Sequence, residues 1–193
     1  MKISLGCFVS LIFVNVVGIV AGCGGDDSSP AGGDGGDGGP SGMKIAASTG
    51  EWTAYTNPYG DGGASPISNT IMGSAEAFAA GTGMRVKLTV TGLPASRPFG
   101  SHIHKLACDD NKAGAHYQNN PAPDGGANDP MYANSMNEVW LDFVTDASGA
   151  GSSEAEVGFV PRAGEAKAVV IHDMATTAGG LAGAKLACLT MTF

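Results

Sequence analysis

The run GMRVKLTVTGLP, residues 83–94, constrains the fold of this chain more than any other stretch. Met84, Val86, Leu88 and Val90 alternate with Arg85, Lys87 and Thr89, and Gly92 and Pro94 close the run. A period of two puts the apolar set on one face of a strand and the polar set on the other. Similar signals recur downstream. EVWLDFVTDASGAGSSEAEVGFV holds two runs around a Gly/Ser turn at 148–152, AKAVVIHD is a short apolar strand ending at His172, and AKLACLTMTF is a C-terminal strand. Upstream, EWTAYT and GSAEAFAA are weaker candidates, because alanine is a poor strand former. No long stretch carries apolar residues at i, i+3, i+4 and i+7, the spacing a surface helix needs. Short strands with Gly-rich turns predict an all-β fold, an antiparallel sandwich or Greek-key barrel.

The N-terminus reads as a processing signal. MKISLGCFVSLIFVNVVGIVAGC has one lysine, a long apolar run and then small residues directly before Cys23. This is the form of a bacterial lipoprotein signal, with residues 1–22 removed and Cys23 lipidated. A retained membrane-spanning anchor is the alternative, since the run is about long enough to cross a bilayer. Residues 24–42, GGDDSSPAGGDGGDGGPSG, contain almost only Gly, Asp, Ser and Pro. Such a composition buries no apolar surface, so 23–43 is expected to be a disordered tether. The folded domain is then 44–193, large enough to bury roughly two thirds of its unfolded surface.

Charge and cysteine content narrow the function. With Asp26, Asp27, Asp34, Asp37 and Lys2 set aside, 14 acidic and 9 basic residues remain, a net charge of about −5. A nucleic-acid partner would want a basic face, so none is expected. Cys7 leaves with the signal and Cys23 takes lipid, which leaves Cys108 and Cys188. An exported, oxidising compartment favours a disulfide between them over two buried free thiols. The bridge would close about 80 residues, worth on the order of 4 kcal/mol in the chain-entropy account.

Three of the four histidines fall within GSHIHKLACDDNKAGAHYQ, residues 100–118. His102 and His104 lie two apart, so a strand presents both on one face. His116 follows a glycine-punctuated loop, and His172 ends a different strand. Four imidazoles suit copper or zinc, and tetragonal imidazole-rich sites favour Cu(II). The H-x-H spacing alone fits two exposed surface histidines equally well.

The motifs taken together, TGLPASRPFGSHIH, a loop cysteine, KAGAHY, VVIHD and GAKLAC, resemble the Cu,Zn superoxide dismutase family over roughly residues 70–193. The resemblance implies an eight-stranded Greek-key β-barrel. It also implies that His102, His104, His116 and His172 ligate copper and that Cys108–Cys188 is the family's intrachain disulfide.

The chain departs from the family in three places. That family's zinc takes three histidines, one shared with copper, and an aspartate. Here copper would use every histidine, so zinc is not expected, and the chain resembles the copper-only branch. Asp124, Asp129 and Glu138 are the remaining oxygen ligand candidates, or simply solvated carboxylates. Glu138, at the start of a strand, is the candidate to accept the second N–H of a metal-bound imidazole. The segment 173–184, DMATTAGGLAGA, carries one charge where the family has a longer, charged loop, which predicts a more open site. Lys185 replaces an arginine, keeping the charge without the two-pronged fork; an exposed surface lysine is the alternative.

The resulting expectation is a copper-dependent superoxide dismutase anchored by lipid in the bacterial cell envelope, as a monomer or weak dimer. Superoxide is its substrate, His116 handles the proton and Lys185 guides the anion. The competing expectation is a lipoprotein that sequesters copper and turns over little.

Overall fold

The computed structural model describes residues 42–193 apart from Gly125; the signal 1–22, Cys23 and the tether as far as residue 41 lie outside the described residues. Ten strands order along the chain: β1 Lys44–Glu51, β2 Thr53–Ala54, β3 Met72–Ala80, β4 Gly83–Thr91, β5 Pro98–Phe99, β6 Ser101–His104, β7 Phe143–Val144, β8 Gly151–Val157, β9 Ala168–His172 and β10 Lys185–Thr190. All pairings are antiparallel. One four-stranded sheet has the order β1-β3-β4-β8 and the other β2-β10-β9-β6, with a small β5–β7 ribbon besides. Among the described residues the only helical element is a 3-10 turn, Asn111–Ala113.

The alternation of β4 sets the first sheet. Met84, Val86, Leu88 and Val90 are buried in one core, and each such side chain stabilises the fold by about 1.5–3 kcal/mol. Arg85 and Lys87 stay on the other face, where both reach Glu154 of β8. The weaker segments EWTAYT and GSAEAFAA do form strands, β2 and β3. The alanines of β3 work because they face inward: Ala75 and Ala77 are fully buried between larger neighbours. β1, whose sequence KIAASTGE has little β-branched character, is a strand that periodicity did not reveal; it is held by its long pairing with β3.

The architecture is the expected sandwich, with one difference. The two large sheets do not close into a continuous eight-stranded barrel. Among the described residues, the short β5–β7 ribbon and isolated bridges such as His102 to Trp140 lie outside the ladders of the two large sheets.

Candidate metal centre

β6 carries Ser101, His102, Ile103 and His104. Ile103 is buried in the core between the sheets, so alternation sends both flanking imidazoles to the opposite face. His116 joins them through an antiparallel bridge to His104. His172 ends β9, the strand beside β6. The four candidate ligands thus converge, and each offers one nitrogen with all four nitrogens within 4.8 Å of one another.

The hydrogen bonds assign a nitrogen to each ring. His104 Nδ1 lies 2.9 Å from Gly114 O and His172 Nδ1 lies 3.2 Å from Gly183 O. A carbonyl only accepts, so both Nδ1 atoms carry the proton and both Nε2 atoms carry a lone pair. Those two Nε2 atoms stand 3.2 Å apart. Two lone pairs facing each other repel unless a cation lies between them. His116 donates Nδ1–H to Glu138 Oε2 at 2.9 Å, which frees its Nε2 as well. His102 is reversed: Nε2–H meets Thr176 Oγ1 at 2.7 Å, while Nδ1 is buried without a protein partner. An orphaned buried nitrogen and two opposed lone pairs are what an all-imidazole metal site looks like before the ion is added. This donor set fits copper or zinc.

Burial sets the protonation state. His102 and His104 are held well below the usual histidine range, first by desolvation and then by the neighbouring imidazoles. His172 is lowered to about 4, again mainly by burial and then by His116. These three rings are therefore neutral near pH 7, the form a metal requires.

Glu138 lies against His116. It is 1% exposed, and besides His116 it accepts Trp140 Nε1–H and the Gln118 side-chain amide, each at 2.8 Å. Three donors thus converge on one buried carboxylate. Asp124 and Asp129 stay on the exposed loop outside the cluster. Asp129 Oδ1 instead accepts the Met131 backbone N–H.

Asp142 and Thr176 were missed. Asp142 Oδ1 accepts the Thr176 hydroxyl at 2.6 Å and Oδ2 accepts the Thr176 backbone N–H at 2.7 Å, so the hydroxyl is left to receive His102 Nε2–H. The signal was present in EVWLDF. Val139, Leu141 and Phe143 enter the core, so Glu138, Trp140 and Asp142, two apart, face the histidines. Thr176 had no signal, because it lies in an irregular loop.

That loop, 173–184, corrects the expectation of an open site. It folds back on itself through Asp173 N to Ala184 O, Met174 N to Ala182 O and Thr177 N to Leu181 O. Its base is pinned by Arg97, which pairs with Asp173 Oδ1 at 2.7 Å, and by Tyr59, which donates to Oδ2. At Gly180, φ +73°, an added Cβ would lie 3.5 Å from Glu138 Oε2 and 3.6 Å from His116 Nδ1. The loop is short and nearly uncharged, yet it roofs the cluster. His102, His104 and His172 are buried, and His116 alone has appreciable exposure, 19% of its side chain.

Lys185 pairs with His172 across β9 and β10. Its ammonium donates to Lys112 O at 2.9 Å and to Gly114 O, the carbonyl that also holds His104. Burial, then Lys112, pushes its pKa down. Cys108 and Cys188 are joined as a disulfide, which ties the loop between His104 and His116 to β10.

No known protein family's sequence profile matches the chain, and no curated protein matches it. Solved structures do. The Cu/Zn superoxide dismutase from Brucella abortus is 20% identical, with a TM-score of 0.50 over 76% of this chain and 99% of that one. The clock protein EA4 is 18% identical, with a TM-score of 0.51 over 78% and 95%. At these identities the likeness carries the fold, a superoxide-dismutase-like β-sandwich. One fold hosts many activities, so function has to be argued from the site.

Proposed function

We propose that the chain is a copper-dependent superoxide dismutase, exported and anchored in the bacterial cell envelope through lipidated Cys23. The observation that carries the reading is the hydrogen-bond pattern: four imidazoles, each with its outer nitrogen engaged, turn their remaining nitrogens toward one another. His102 Nδ1 and the Nε2 atoms of His104, His116 and His172 would hold one copper ion. When bound, copper would supply the one-electron exchange by which one superoxide becomes O2 and a second, with two protons, becomes H2O2. The protein's part is to orient ligands, admit the anion and supply protons. His116 is the exposed ligand, and its Nε2 is the atom placed to gain and lose a proton. Glu138 keeps the His116 Nδ1 proton in place and balances the imidazolium charge when Nε2 is protonated. This gives the carboxylate the positional role that a second metal would otherwise fill. An ammonium has three donors; Lys185 uses two on carbonyls, which leaves one for an incoming anion.

Copper sequestration without turnover is the second reading, supported by the burial of three ligands. Elemental analysis and a superoxide assay on Cu(II)-loaded protein separate the two. The dismutase reading expects one copper per chain, no tightly bound zinc and catalytic loss of superoxide. Stoichiometric copper with no turnover sinks it in favour of sequestration, and stoichiometric zinc beside copper sinks the copper-only assignment.

A further inference from the structure

The loop 173–184 carries a single charge, Asp173, and that charge is consumed by Arg97 and Tyr59. Nothing on the roof can therefore draw an anion toward the histidines. The cationic groups lie beside His116 instead. A depression of about 210 Å³ opens beside His116, and its polar lining is Lys105, His116, Gln118, Asn128 and Lys185, with no acidic residue among the described ones. Gln118 is committed, its amide to Glu138 and Ala127 O and its oxygen to Ala122 N–H. Lys185 is largely committed to two carbonyls. Lys105 differs. It follows His104 directly, its backbone N–H is tied to Ala115 O, and its ammonium enters none of the ion pairs among the described residues.

We propose that Lys105 is the residue that attracts small anions to the centre: a cation lining the depression beside His116, directly after the strand that bears His102 and His104. The inference rests on the metal-centre reading above. An unpaired charge beside a partly enclosed depression attracts an anion more strongly than one on a flat surface, because the low-dielectric walls focus its field. The ligand class is a small monoanion; azide serves as a probe that needs no turnover. Anion binding should have two contributions, a short-range one from Lys185 and a longer-range, salt-sensitive one from Lys105.

The test uses copper-loaded protein and three variants. Lys105→Met keeps the stem and removes the charge, Lys105→Glu reverses it, and Lys105→Arg restores it. Azide affinity is read from the Cu(II) absorption band, and the superoxide rate is read separately, both as functions of ionic strength. Lys105→Met should weaken azide binding about two- to four-fold at low salt, Lys105→Glu about ten-fold, and Lys105→Arg should match wild type. The differences should shrink by roughly 0.5 M salt, with copper content unchanged. Equal azide affinity and salt slope in wild type, Lys105→Met and Lys105→Glu would overturn the proposal. Lys105-dependent azide binding without superoxide turnover would uphold it and defeat the dismutase reading alone.

Discussion

At the level of single residues, the centre depends on acceptors that fix imidazole protons. Glu138 is the most heavily used, serving His116, Trp140 and Gln118 at once. Glu138→Gln keeps the shape but removes the charge that supports the His116 proton. Loss of such a partner typically lowers metal affinity or activity 10- to 100-fold, so about a 10-fold fall in superoxide turnover is expected, with copper still bound. Glu138→Ala goes further, because it removes the acceptor of His116, Trp140 and Gln118 together. Each donor left unpaired costs about 1–3 kcal/mol, and the expected loss of several kcal/mol is read from the denaturation midpoint. Thr176 makes a cleaner probe. Thr176→Val preserves volume but removes the acceptor of His102 Nε2–H. Copper affinity should fall about 10-fold by competition with a chelator, while stability drops only about 1 kcal/mol. Unchanged affinity would show that His102 is oriented by packing alone.

Among the elements, the segment 105–115 carries the most strain. Asn111, Lys112 and Ala113 have φ of 45°, 48° and 64°, a left-handed turn that costs L-residues roughly 1–2 kcal/mol each. The turn persists because it is tied at several points. Leu106 N–H binds Ala113 O, Lys185 caps Lys112 O and Gly114 O, and the Cys108 disulfide anchors the segment to β10. Its carbonyl at Gly114 holds His104, so this strained turn helps to place a ligand. Lys112→Gly should raise stability by about 1 kcal/mol, since glycine accepts positive φ without a Cβ clash. The exposed bond from Lys112 Nζ to Asn57 O offsets little of this. Cys108→Ser should cost about 4 kcal/mol through the released 80-residue loop. Guanidinium unfolding with the slope held constant measures both changes.

For the molecule as a whole, the proposed lipid anchor would hold the sandwich at a membrane. Phase partitioning of protein from intact cells checks this. The mature chain should enter the detergent phase and begin at a lipid-modified Cys23, whereas Cys23→Ala should stay in the aqueous phase. An unmodified N-terminus at Met1 would instead support the retained anchor.

The sequence by itself determined much of the strand content, β4 through its two-residue periodicity and β9 through its short apolar run. It also determined the ligand candidates, because four histidines in a chain this poor in them stand out, and a family resemblance bound them into one set. Glu138 was legible because it opens an apolar run. What only the tertiary structure decided was how those residues are held. The ring nitrogen each histidine presents follows from Gly114 O, Gly183 O, Glu138 and Thr176, and only Glu138 among these is visible as a residue choice. Backbone carbonyls leave no mark in a sequence. β1 was hidden because cross-strand pairing, not propensity, stabilises it. The roof was misjudged because loop length and charge were read as coverage. Coverage depends on where the backbone goes, and here a hairpin pinned by Arg97 and Tyr59 brings an almost uncharged loop down onto the histidines.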